Sequence, residues 1–172
     1  MNTQEAQIPP NPTLSAEEVG RRFLKFIEGV ESRGDITLER VQEVMGLTLK
    51  RRPIDRGFFH TQSLIGDWSY VIILWPHPEE EMRNSLNLEF INKINQFSDM
   101  LPICGLSFEG YHKALLSFGY SEIFRYDKIG RLSGVSYSKG NMHVGITPEL
   151  KVFPNGKAYP TCVRRIGLLA PY

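Results

Sequence analysis

Two stretches near the N-terminus repeat apolar residues with a helical period. Ser15 and Glu18 have the spacing of a capping box. Apolar residues then recur every three or four positions, which predicts a helix that continues to about Ser32. Thr37 has the properties of an N-cap and Gly46 those of a left-handed C-cap, so they delimit a second, shorter helix. The two helices are predicted to form a helical hairpin.

From Leu47 onward the apolar period changes to two, which is typical of β-strands. The most apolar run, residues 68–75, is dominated by aromatic and β-branched side chains and predicts a central strand that is covered on both faces. A third helix is predicted between Ser107 and Gly119, and residues 148–160 are predicted to form a loop. Further strands are predicted at residues 47–50, 58–64, 85–91, 120–126, 132–138, 142–147 and 161–169.

This order of elements indicates the fold class. Helices that are segregated from hairpin-connected strands are typical of α+β proteins. We therefore predict a single α+β domain over residues 15–172, with an N-terminal helical hairpin, a largely antiparallel twisted sheet and one further helix. Residues 1–14 are polar and contain three prolines, which predicts a flexible N-terminal arm.

Composition adds little to this picture. The chain is 41% hydrophobic and 23% charged, as is usual for a soluble globular protein. No segment approaches the ~20 apolar residues of a transmembrane helix, and the N-terminus lacks an apolar signal core. The expected location is therefore the cytoplasm, with the periplasm as the alternative if a signal peptide has been removed. Cys104 and Cys162 have apolar neighbours, and two buried thiols are favoured over a disulfide.

Charge is distributed in blocks along the chain. The net charge of +1 argues against binding to nucleic acid or to an acidic membrane surface. Residues 57–110, however, contain seven acidic and two basic residues, and residues 111–172 contain three acidic and nine basic ones. Blocks of opposite sign can steer one particular protein partner. The alternative is that the blocks mix in three dimensions and no charged patch survives.

Candidate catalytic chemistry is sparse. The chain has no Gly-x-Ser-x-Gly elbow and no phosphate-binding loop at a helix start. His77 with the following glutamates is the only dense set of metal-ligand residues, and its prolines and like charges favour a solvated loop. For the isolated residues His60, His112 and His143, hydrogen-bonded structural roles are favoured over metal binding. No cofactor or metal is predicted.

The aromatic residues favour a function in binding more than the candidate catalytic residues favour one in catalysis. Several of them cannot all face the core if their strands are covered on one side only, and protein interfaces are enriched in aromatic side chains. The acidic loop after residue 76 adds a charged surface that suits a basic partner. The candidate partner-binding residues are Trp75, Glu79, Glu80, Glu81, Tyr126 and Tyr137. For Trp75, Tyr126 and Tyr137, a contact role and a core role are equally compatible with the sequence.

Several short sequence segments resemble those of bacterial immunity proteins, the small proteins that neutralise toxins of polymorphic, secreted toxin systems. These segments are residues 35–41, 45–47, 67–70, 102–108 and 162–166. The resemblance implies a protein without catalytic residues or cofactors that binds a cognate toxin stoichiometrically. Two alternatives stay open, an adaptor or chaperone for a secreted effector and a small hydrolase with a dispersed active site. The oligomeric state is left open.

Overall fold

The computed structural model of the protein describes residues 9–152 and 158–169. Its helices are α1 (Ala16–Gly29), α2 (Leu38–Met45) and α3 (Phe108–Ser117). Each begins at a side-chain cap, because the hydroxyls of Ser15, Thr37 and Ser107 accept hydrogen bonds from backbone N–H groups three residues further on. Gly46 ends α2 in the left-handed conformation, with φ of 63°. The predicted helical hairpin and the third helix are confirmed.

Eight strands form one antiparallel sheet. They are β1 (Lys50–Arg51), β2 (Phe58–Ser63), β3 (Trp68–Trp75), β4 (Ser85–Asn92), β5 (Ser121–Tyr126), β6 (Leu132–Lys139), β7 (Met142–Val152) and β8 (Ala158–Leu169). Their order across the sheet is β1-β2-β3-β4-β8-β7-β6-β5. The chain is therefore a single-domain α+β protein, as predicted.

The sheet consists of two four-stranded meanders, each preceded by helical structure. They join where β4 pairs with β8, through register partners such as Leu88 and Ile166. The centre of the sheet is thus the β4–β8 pair, and β3 lies third from one edge.

The helices cover one face of the sheet. The side chains of β3 that point to this face, Tyr70, Ile72 and Leu74, are fully buried in a core that also contains Phe23 and Phe26 of α1. On the opposite face, alternate residues of β3 are only half-buried. The prediction that β3 is covered on both faces is therefore wrong, because all three helices pack against the same side.

The long β7–β8 hairpin corrects a second prediction. Residues 148–160 were predicted to be a loop, but β7 continues to residue 152 and β8 begins at residue 158. Pro148 lies within β7 at a point where the register with β8 is irregular. A proline is accommodated at such an irregularity because it cannot donate a hydrogen bond to the ladder.

The N-terminal arm is anchored at its described end. Leu14 is buried, and its backbone N–H and C=O both bind the side-chain amide of Gln62, at 2.9 and 2.8 Å. The Asn11 side chain bonds both backbone groups of Thr48. Residues 11–14 are therefore held by the sheet and its flanking loop, and residues 1–8 of the predicted arm lie outside the described residues.

A disulfide bond joins Cys104, just before α3, to Cys162 of β8. Their Cα atoms are 5.5 Å apart, and the two cysteines are 58 residues apart in the chain. The preference for two thiols is thereby corrected. Apolar neighbours in sequence are compatible with either state, so only the spatial pairing decides between them.

Candidate interaction surfaces

Trp75 lies at the end of β3 beside Ser85 of β4. Its side chain is half-buried, and the guanidinium carbon of Arg52 lies 5.5 Å from the centroid of its ring. This is a cation–π contact. Trp75 is therefore held against the β1–β2 loop, with part of its surface still accessible.

The acidic loop follows directly and contains Glu79, Glu80 and Glu81, all of which are exposed. Glu80 forms a salt bridge with Arg83 at 3.3 Å, in which both side chains are well exposed. Exposed pairs of this kind contribute at most about 1 kcal/mol. The β1–β2 loop at the same end of the sheet adds Arg52 and other basic residues, so the charge here is mixed rather than purely acidic.

A buried polar anchor fixes this loop. The Asn84 side chain accepts from the backbone N–H of His77 at 2.6 Å and donates to the backbone carbonyl of Arg33 at 3.1 Å. The guanidinium of Arg33 in turn donates to the carbonyl of Asn84. Burial lowers the pKa of Arg33. The acidic side chains are therefore displayed from a rigid base.

Tyr126 belongs to β5, the outermost strand of the second meander. Every residue of β5 is exposed. Apolar side chains are included, since Ile123 is 63%, Phe124 38% and Tyr126 64% exposed, and Ile129 in the following turn is 73% exposed. We call residues 121–129 the β5 edge. Exposed apolar residues of this kind make the β5 edge a candidate interaction surface.

The two edge strands of the sheet, β1 and β5, differ in length and in side-chain composition. The β1 edge has only two residues, Lys50 and Arg51, both charged and exposed. Short, charged edge strands are a common protection against pairing with another chain. The strand of the β5 edge is longer, at six residues, and combines exposed apolar side chains with the charged residues Glu122 and Arg125 and a register shift near its end. In the described part of the chain, only β6 pairs with it.

Tyr137 is not a contact residue. Its side chain is completely buried, and its hydroxyl lies 2.8 Å from Nδ1 of His112. Burial raises the pKa of Tyr137. The ring of His112 also contacts those of Phe108 and Phe124, at centroid distances of 5.7 and 5.9 Å. Tyr137 therefore belongs to the core and supports the β5 edge from beneath, through His112.

The structure separates the predicted contact residues. Trp75 and the acidic loop lie at the end of the sheet where β3 finishes, and Tyr126 lies at the opposite end of the outermost strand. β3 and β5 are five strand positions apart, which corresponds to about 24 Å at the usual strand spacing. One small contact patch cannot contain both.

A cleft that the sequence did not indicate lies near the Tyr126 end. Its volume is about 320 Å³, and it lies between the loop after β4, the β5–β6 turn and strands β7 and β8. The lining residues are Gln96, Phe97, Ser98, Met100, Arg131, Pro148, Glu149 and Arg164. They come from four separate segments of the chain, so no local sequence motif predicts that they lie together. The basic bias of residues 111–172 is the only sequence signal that points towards it.

The remaining histidines have structural contacts. Nδ1 of His143 lies 3.4 Å from the hydroxyl of Ser138 on the neighbouring strand. Nδ1 of His60 lies 3.1 Å from the side-chain nitrogen of Asn11. Among the described residues, no group of three or more His, Cys, Asp or Glu side chains could hold a metal ion.

Within residues 9–152 and 158–169, no helix has the length and apolar character needed to cross a membrane. Comparison with protein-family models, with curated proteins and with solved structures finds no significant match to this chain.

Proposed function

We propose that the chain is a non-catalytic binding protein that neutralises a cognate secreted bacterial toxin by direct stoichiometric contact. The observation that carries this proposal is the β5 edge, in which the outermost strand of the described sheet presents the exposed side chains of Ile123, Phe124 and Tyr126. The resemblance of several short sequence segments to those of immunity proteins supports the same function.

The β5 edge suits a partner that adds an extended segment to the sheet. In such β-augmentation, backbone hydrogen bonds supply affinity and alternate side chains supply specificity. Phe124 shares the helix-covered face with its register partner Val135, while Ile123 faces the open side beside Ser136. An added strand would therefore need an apolar side chain on each face.

The charge near the β5 edge narrows the chemistry of that segment. Arg125, Lys128 and Arg131 are exposed along the strand and its turn, against Glu122 and Asp127. Arg131 is paired with Asp127 at 2.9 Å. The excess of basic over acidic residues favours an apolar segment that also contains acidic residues.

The disulfide supports an oxidising compartment as the place of action. Disulfides persist in the periplasm and outside the cell and are rare in the cytosol. The Cys104–Cys162 bond therefore favours the periplasmic location over the cytoplasmic one. This location also suits a protein that meets a toxin on its way into the cell.

The test is co-purification with the product of the neighbouring gene, followed by titration of that product's toxic activity. An equimolar amount of the protein is expected to abolish activity. Ile123→Lys should weaken binding strongly, because a charge would replace an apolar contact. Ile65→Lys is the matched control, since Ile65 is 66% exposed in the turn before β3.

The acidic loop is tested in parallel by Glu79→Lys combined with Glu81→Lys, which is expected to have a smaller effect than Ile123→Lys. Binding without inhibition would favour the adaptor or chaperone function instead. If no complex forms, or if Ile65→Lys weakens it as much as Ile123→Lys, the proposal is wrong.

A further inference from the structure

Two arginines line the cleft between the loop after β4 and the β5–β6 turn. Arg131 reaches it from the turn and Arg164 from β8. One carboxylate, that of Glu149, lies in the same wall. Phe97 forms part of the rim, and its ring is 80% exposed. The cleft therefore combines a positive wall with an accessible apolar surface.

The charges of the cleft are not all satisfied internally. Nε of Arg131 donates to Oδ2 of Asp127 at 2.9 Å. Oε1 of Glu149 accepts from the backbone N–H of Met100 at 3.1 Å. Arg164, which is half-buried, has no hydrogen bond or ion pair with any residue in the described part of the chain. Its guanidinium is therefore the donor group that is available to a ligand.

We propose that this cleft binds the carboxylate of an acidic residue presented by a peptide segment, with Arg164 as the main donor and Phe97 as a surface for the neighbouring apolar atoms. A guanidinium offers two parallel N–H donors that match the two oxygens of a carboxylate. Half-burial strengthens such a pair, because solvent screens it less than it would at an open surface.

The composition of the wall favours a carboxylate over a phosphate group. Glu149 lines the same cleft, and the repulsion between its negative charge and an anionic ligand grows with the charge of that ligand. A phosphate monoester carries close to two negative charges at neutral pH. One available guanidinium beside one fixed carboxylate is therefore better matched by a singly charged ligand group.

This site adjoins the β5 edge through the Arg131–Asp127 pair, but its main donor, Arg164, lies on β8. The cleft is lined by residues of β7, β8 and two loops, and none of the exposed apolar residues of β5 lines it. The inference therefore does not rest on toxin neutralisation, and either proposal can fail without the other.

The experiment is a titration of the ¹⁵N-labelled full chain, followed by NMR. The probes are glutamate with both termini blocked (N-acetylglutamate amide), its neutral counterpart N-acetylglutamine amide, and inorganic phosphate. N-acetylglutamate amide is expected to shift the amide resonances of residues 96–98 and 164, and the other two probes to bind more weakly. Arg164→Gln should weaken binding about tenfold or more, as expected for loss of a charge-assisted hydrogen bond.

The matched control is Arg165→Gln, because Arg165 is exposed, adjacent in sequence and directed to the other face of β8. It should leave the affinity unchanged, and so should Ile123→Lys in the β5 edge. Arg164→Lys retains the charge without the forked donor and should recover only part of the affinity, which also provides a variant if Arg164→Gln disturbs folding. Equal losses for Arg164→Gln and Arg165→Gln, tighter binding of phosphate, or absence of shifts at the cleft would each overturn the proposal.

Discussion

A single glycine permits the close approach of α1 and α3. Gly20 is buried in α1, and a Cβ atom at this position would overlap the hydroxyl of Tyr111 and lie 3.0 Å from its Cζ. Tyr111 is only 1% exposed, so its ring has no free space into which it can move. The size of one side chain therefore sets the distance between two helices.

We expect Gly20→Ala to lower the free energy of unfolding by about 1–3 kcal/mol, the usual cost of overpacking a core. Tyr111→Phe should cost little, because the buried hydroxyl has no hydrogen-bond partner among the described residues. In the Tyr111→Phe background the cost of Gly20→Ala should fall. Urea unfolding of the four proteins measures this coupling.

Gly29→Ala, at the exposed end of the same helix, is the control and should change stability little. An equal cost of Gly20→Ala with and without the Tyr111 hydroxyl would contradict the packing explanation.

The ring of His60 is fixed in its neutral form by its surroundings. The Asn11 amide is oriented by Thr48, whose backbone N–H donates to Oδ1 at 2.6 Å and whose carbonyl accepts from Nδ2 at 3.0 Å. Nδ2 therefore faces His60 as a donor, and Nδ1 of His60 must accept. Protonation of Nδ1 would set two donors against each other. Burial, followed by the charge of Lys50, lowers the pKa of His60.

We expect stability to fall as the pH is lowered through this histidine's titration range. Because the folded-state pKa lies below the ordinary value of 6.5, the unfolded chain binds the proton first. The contribution of His60 is therefore complete above pH 6.5 and is lost as the pH falls from there towards the folded-state pKa. Urea midpoints at pH 7.5 and pH 5.5 measure the change.

His60→Gln should remove this part of the pH dependence, whereas His143→Gln, on the open face, should retain it. An unchanged slope in His60→Gln would show that another group is responsible.

At the level of elements, the sequence predicts what local contacts determine. Ser15, Thr37 and Gly46 define the helix ends through bonds to their own neighbours, so the bounds of α1 and α2 were predictable to within a few residues. The bounds of the β7–β8 hairpin were not predictable, because prolines such as Pro148 and Pro160 are typical of loops in a local sequence pattern. The register irregularity that admits Pro148 exists only once both strands are paired.

The order of strands explains why the contact surface was only partly predictable. In a simple meander β5 would pair with β4, and β8 would be the outer strand. Insertion of β8 beside β4 instead leaves β5 at the edge. The sequence shows that Phe124 and Tyr126 lie on a strand, but this non-local pairing decides that they are exposed. Tyr137 lies on β6 between β5 and β7 and is buried beside His112 of α3, and a local pattern cannot distinguish it from Tyr126.

At the scale of the whole molecule, the disulfide connects the segment just before α3 to β8, the last strand of the C-terminal meander. The loop that it closes contains α3, strands β5, β6 and β7, and the start of β8. Ser107 at the start of α3 forms an isolated bridge with Cys162, so the bond lies where the helix meets the sheet. The β5 edge belongs to the part of the chain that this bond constrains.

We expect the double substitution Cys104→Ser and Cys162→Ser to lower the free energy of unfolding by about 4 kcal/mol. A closed loop of this length lowers the conformational entropy of the unfolded chain and so destabilises the unfolded state by that amount. Urea unfolding measures the loss. Reductant should lower the midpoint of the native protein and leave that of the double variant unchanged.

If reductant has no effect on the native protein, the bond does not form in solution, and the case for an oxidising compartment falls with it. If the midpoint falls as expected, binding at the β5 edge should weaken under the same reducing conditions, since the position of that edge then depends more on the contact of Phe124 with His112 and on pairing with β6.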